Sequence, residues 1–102
     1  MSNHVYTIDE LKIKIGDILS DFPVEKAILF GSYAKGEADI NSDIDLVIDS
    51  KGQLRGLKFF GLLEILTTVL NKQIDLIDQR DIIENGQADK EITKTGVVIY
   101  GE

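Results

Sequence analysis

The chain has 102 residues, 43% hydrophobic and 28% charged, with 18 Asp and Glu against 11 Lys and Arg, giving a formal charge of −7. Those figures describe a soluble globule with one hydrophobic core, and they exclude a disordered tail or a second lobe. The acidic balance disfavours nonspecific nucleic-acid binding, and the absence of Cys excludes disulfides, thiolate metal sites and thiol nucleophiles.

The stretch Met1 to Glu10 lacks a basic segment followed by an apolar one. No apolar run approaches the roughly 20 residues that span a membrane, so a cytoplasmic protein without membrane association is expected. Residues 1–102 are expected to form a single domain with no internal repeat or linker. Thr7 and Glu10 form a capping box, and Ile8, Leu11, Ile15, Ile18 and Phe22 recur at helical spacing. A first helix should therefore run from about Ile8 to Asp21, ending before Pro23. Lys26 to Phe30 reads as a buried strand that stops at a glycine. Gly31 to Gly36 has room for about one turn of helix. Asp43 to Asp49 alternates strictly, as in a half-buried strand with Ile44, Leu46 and Ile48 on one face. From about Leu54 to Leu70 the residues Phe59, Leu62, Leu63, Leu66, Val69 and Leu70 form a wide helical stripe. Ile74 to Ile77 is a third strand, Ile82, Ile83 and Ile92 suggest one or two short helices, and Val97 to Tyr100 is a terminal strand. Strands separated by helices indicate an α/β (α+β) domain.

The chemistry concentrates in Gly31-Ser32 and, ten residues on, Ser42-Asp43-Ile44-Asp45. Side chains two apart in a strand share a face, so Asp43 and Asp45 project together. Their mutual repulsion at 4 Å is on the order of 1 to 4 kcal/mol, which calls for a cation. Hard oxygen donors without His or Cys favour Mg²⁺ or Mn²⁺ over zinc. If Ile74 and Leu76 face the core, Asp75 lies on the side of the first two carboxylates and Asp78 does not. The intervening helix makes the second and third strands parallel, bringing Asp75 level with Asp45. The glycine-serine turn, at the exit of the first strand, meets the aspartates at the entry of the second only if those strands are antiparallel. A small mixed sheet with helices on one face follows. Gly31 lets the backbone approach an anion and Ser32 adds a donor.

Two neighbouring patterns fail on chemistry. Gly31 to Gly36 begins like a P-loop, but Glu37 and Ala38 stand where Lys and Ser or Thr are needed. Asp39, Asn41 and Asp43 begin like a calcium loop, but Ile44 replaces its glycine and Ser50 its final glutamate. On an acidic protein Asp43 and Asp45 alone would read as a solvated face; Gly31-Ser32 upstream and Asp75 downstream distinguish them. Tyr33 and Tyr100 read as half-buried anchors, and His4 as uninvolved.

The string GSYAKGEADINSDIDLVID, with Asp75 in QIDLID, resembles the GSxAxG…SDxDL signature of the polymerase-β nucleotidyltransferase superfamily, and the short length resembles its minimal nucleotidyltransferase (MNT) branch. The resemblance implies the polymerase-β-like nucleotidyltransferase fold. It implies that Gly31 and Ser32, with Lys35 and Ser42 in the same motif, hold the nucleotide. Asp43 and Asp45 would bind two Mg²⁺, and Asp75 would complete the metal site near the attacking hydroxyl. Lys35 replaces the Arg often seen there, keeping the charge without a bidentate fork. Ser42 also suits a role bonding backbone at the strand entry.

The implied reaction is in-line displacement at the α-phosphate of ATP by an acceptor hydroxyl. In the MNT family the usual partner is an all-helical HEPN toxin, so the resemblance implies a hetero-oligomer and an antitoxin that adenylylates a tyrosine of that partner. Neutralisation by binding alone is the alternative. A free-standing transferase on a small molecule would need an added lobe to enclose its acceptor.

Overall fold

The computed structural model describes residues 3–101, so Met1, Ser2 and Glu102 of the expected domain range lie outside the described residues. Helix α1 (Ile8–Leu19) starts at the expected capping box: the Thr7 hydroxyl accepts the Glu10 N–H at 3.0 Å, and the Glu10 carboxylate accepts the Thr7 N–H at 2.9 Å. It ends earlier than its apolar spacing predicts. Asp21 and Phe22 donate to carbonyls three residues back, at 3.2 and 3.0 Å, so the chain tightens into a turn before Pro23.

Strand β1 (Lys26–Phe30) leads directly into the short helix α2 (Gly31–Lys35). Strand β2 (Ile44–Asp49) is followed by helix α3 (Leu57–Leu70) and strand β3 (Ile74–Asp78). Helix α3 begins three residues later than the apolar run suggests, because Leu54 is buried in the preceding loop and Gly56 takes a positive φ of 57°. A short 3-10 turn (Gln79–Asp81), helix α4 (Gln87–Thr95) and strand β4 (Val97–Tyr100) complete the order.

The sheet order is β3-β2-β1-β4, with β2 parallel to β3 and β1 antiparallel to both β2 and β4. The mixed sheet inferred from the position of the glycine-serine turn is therefore present. One sheet face carries Ala27, Leu29, Ile44, Leu46, Ile48 and Ile74, which pack with Leu11, Ile15 and Leu19 of α1 and with Leu62, Leu66 and Leu70 of α3. Fully burying each such side chain contributes about 1.5–3 kcal/mol, so this layer is the main source of stability. The two long helices thus lie on one face, as the sequence indicates. The shorter α4 adds to the opposite face, where Ile92 joins Ile28 and Val47 around a groove of about 370 Å³. No helix among the described residues is long and apolar enough to cross a membrane.

Candidate functional site

The carboxylates gather on the sheet face away from the α1/α3 layer. Asp45 pairs with Phe30 across the antiparallel β1–β2 ladder and with Asp75 across the parallel β2–β3 ladder. Register alone therefore sets Asp45 beside Asp75 and level with the end of β1. Asp78, of opposite parity, is buried, and its carboxylate accepts the Arg80 N–H at 2.9 Å as the cap of the 3-10 turn. Asp49 is held by Lys51, 3.0 Å away at the far end of β2.

Asp43 lies one residue before the first residue of β2, exposed and outside the ladder. Its charge nonetheless reaches Asp45. Burial pushes the Asp45 carboxyl up to about 6, with further contributions from the charge of Asp75 and hydrogen bonding to it, and from the charges of Asp43 and Glu91. A carboxyl with Asp75, Asp43 and Glu91 around it suits the uptake of positive charge.

Gly31 closes the other side. Its φ of +73° turns the chain sharply at the exit of β1, and a Cβ there would overlap Oδ2 of Asp45. Only glycine lets the backbone pass this close to the carboxylate. Ser32, half-buried, follows in the first turn of α2, and Gly36 ends that helix at φ 73°. Lys35 projects from the same turn, its Nζ 3.9 Å from Oε1 of Glu91 on α4. Glu91 is the residue sequence reasoning missed. No motif marks it; it reaches both Lys35 and Asp45 only because α4 packs beside α2.

Ser42 is engaged locally: its hydroxyl accepts the Asp39 N–H at 2.9 Å, and its N–H donates to the Asp39 carbonyl at 3.1 Å. This shapes the loop entering β2, the backbone-bonding role the sequence allowed. Tyr33 is 3% exposed, so it is a core residue and not a half-buried anchor. His4 bonds Glu10 at 3.0 Å, outside the carboxylate group.

The donor set suits a hard divalent cation: carboxylate oxygens, no imidazole or thiolate, and repulsion that a cation would relieve. Among the described residues no three acidic, His or Cys groups are already drawn together as a metal cage. The Asp45–Asp75 pair is set by the ladder, whereas Asp43 lies on the loop outside it.

The chain matches the family described as Polymerase beta, Nucleotidyltransferase over residues 13–102. It is 33% identical over 86 residues to a Methanocaldococcus jannaschii protein assigned by name to the protein adenylyltransferases, covering 80% of this chain and 100% of that one. It is 39% identical over 56 residues to protein adenylyltransferase MntA of Thermococcus cleftensis, covering 55% of this chain and 57% of the relative. Among solved structures, a toxin-antitoxin crystal structure with AMP-PNP aligns at a TM-score of 0.77 and 27% identity, covering 89% of this chain and 73% of that chain.

Proposed function

This chain belongs to the minimal nucleotidyltransferase branch of the polymerase-β nucleotidyltransferase superfamily, and from that premise we propose that it transfers AMP from ATP to a tyrosine hydroxyl of a HEPN-type toxin, with Mg²⁺ held by Asp43, Asp45 and Asp75. The observation that carries the reading is the pairing of Asp45 with Asp75 directly against the Gly31 turn. Acidic oxygens and the glycine-serine turn thereby lie side by side. The toxin-antitoxin complex with AMP-PNP among the similar structures supports both a nucleotide and a toxin partner for this chain.

Each residue then has a distinct task. The Gly31-Ser32 backbone and the Ser32 hydroxyl hold phosphate oxygens, and the Lys35 ammonium faces the triphosphate as a point charge. Asp75 lies beside the incoming hydroxyl. Bound Mg²⁺ neutralises triphosphate charge and lowers the acceptor's pKa. The acceptor hydroxyl loses its proton to solvent as its oxygen bonds the α-phosphorus, the bridge to the β-phosphate breaks, and pyrophosphate leaves. No covalent enzyme intermediate is needed, because the residues supply position and charge.

The test is to incubate the chain with ATP, Mg²⁺ and the HEPN-type toxin proposed as its partner, then weigh both. The expected result is a partner heavier by one or more AMP units, with no gain for Asp45→Asn. A partner that binds but never gains that mass rules out transfer.

A second reading, neutralisation by binding alone, is favoured by the outer side of α3, where Leu57 is 90% and Phe60 63% exposed, with Ile65 and Val69 also exposed. It predicts that Asp43→Asn with Asp45→Asn still silences the toxin.

A further inference from the structure

Lys72 is 2% exposed, and among the described residues no carboxylate lies within ion-pair distance of it. Burying an ammonium is costly unless its donors find partners. Among the described residues the Lys72 ammonium donates one hydrogen bond, to the main-chain carbonyl of Ile40 at 3.1 Å. The next residue contributes a second tie to the same segment: the Gln73 carbonyl accepts the Ile44 N–H at 3.0 Å. The chain is therefore gripped at residues 40 and 44, on either side of Asp43.

Asp43 needs such support. It lies outside the β2 ladder, and no hydrogen bond or ion pair is found for its carboxylate among the described residues. Within the loop, the Asp39 carboxylate accepts the Asn41 N–H at 2.8 Å, and Ser42 closes the turn onto Asp39. That turn fixes the loop's shape. The tie from Lys72 fixes where the loop sits relative to the sheet, three residues before Asp75 on the same stretch of chain.

We propose that Lys72 is a positioning residue that holds Asp43 in place to complete the divalent-metal set with Asp45 and Asp75. This inference rests on the metal-binding reading above. The segment 72–75 then has two tasks, supplying one carboxylate directly and bracing another through the Ile40 carbonyl.

The test uses Mn²⁺ alone, titrated into the full chain and followed by the electron paramagnetic resonance of the free ion. Lys72→Met is expected to weaken Mn²⁺ binding about tenfold to a hundredfold, the usual consequence of losing a residue that orients a ligand. Lys72→Arg, which keeps the charge and the donor, is expected to restore most of the affinity. In an Asp43→Asn background Lys72→Met should add nothing, whereas a merely structural role would add its full effect there. If Lys72→Met does not fold, the comparison moves to Lys72→Gln, which removes the charge and is shorter than Lys, losing the reach to the Ile40 carbonyl; it should bind Mn²⁺ more weakly than Lys72→Arg. Wild-type chain that takes up no Mn²⁺ overturns the metal reading and this inference together. Wild-type chain that binds, with Lys72→Met or Lys72→Gln binding equally well, overturns this inference alone.

Discussion

Asp45 and Asp75 occupy the same level of adjacent parallel strands, and the backbone of Gly31 presses against the Asp45 carboxylate from a third direction. The sheet thus sets acidic groups together, and the charge of Asp75 disfavours that of Asp45. A fold that only had to be stable would separate them. Under the proposed function the pair is an anionic seat whose repulsion a bound cation would relieve.

The raised Asp45 carboxyl has a consequence for folding. Its ordinary value is 3.8 and its folded value about 6, so between those limits the folded chain binds more protons than the unfolded one. Stability therefore falls as pH rises through that window, and the penalty is complete above it. Asp45→Asn removes the penalty. In metal-free buffer its Tm should exceed the wild-type value at pH 8, and the advantage should vanish near pH 3, where both carboxyl states are protonated. Melting curves at the two pH values check this, and equal advantages at both would contradict it.

Gly31→Ala should damage folding and activity together. The φ of +73° disfavours any residue with a Cβ, and that atom would overlap Asp45 Oδ2. Such backbone strain costs roughly 1–3 kcal/mol, with the displaced carboxylate in addition. By contrast Gly36, also at φ 73°, has open space where its Cβ would be, so Gly36→Ala should carry only the backbone term. Denaturant titration of both variants separates strain from steric clash.

Much of this was legible in the sequence because strand parity and register are short-range rules. Alternation in Asp43 to Asp49 located Asp45, and the helix crossover made β2 and β3 parallel, so Asp75 fell level with it. The glycine-serine turn at the exit of β1 meets the aspartates at the entry of β2 only if the two strands run antiparallel, and they do. Strand β2 begins at Ile44 and not at Asp43, because the first ladder pair is Ile44 with Ile74; alternation shows which residues share a face but not where pairing starts. Glu91 and Lys72 were not legible. Each acts through a contact between elements distant in the chain, α4 against α2 and the β3 entry against the β2 entry, and neither carries a local pattern.

Under the proposed function Glu91 would oppose nucleotide binding in two ways: its charge adds to that felt by Asp45, and it lies 3.9 Å from the Lys35 ammonium. Both side chains are partly exposed, so the pair itself is worth about 0.2–1 kcal/mol. Glu91→Gln should release Lys35 toward the triphosphate and lower KM for ATP by roughly twofold to fivefold. Lys35→Ala should raise KM, and in that background Glu91→Gln should lose most of its benefit. Steady-state kinetics on the two single variants and the double variant measure the coupling.

Ligand-linked stability gives a test independent of turnover. If the carboxylates and the Gly31-Ser32 turn together bind Mg²⁺ with ATP, a hundredfold excess over Kd stabilises the fold by about 2.7 kcal/mol. For a domain of this length that is a rise in Tm of roughly 10 °C or more. Asp75→Asn should abolish most of the rise, since it removes one half of the preformed pair. Asp78→Asn should leave the rise in place, because Asp78 is a buried cap on the other sheet face, even though its own Tm falls. The comparison separates loss of the site from loss of the fold: the former removes the ligand-induced shift, and the latter lowers the starting Tm while preserving it.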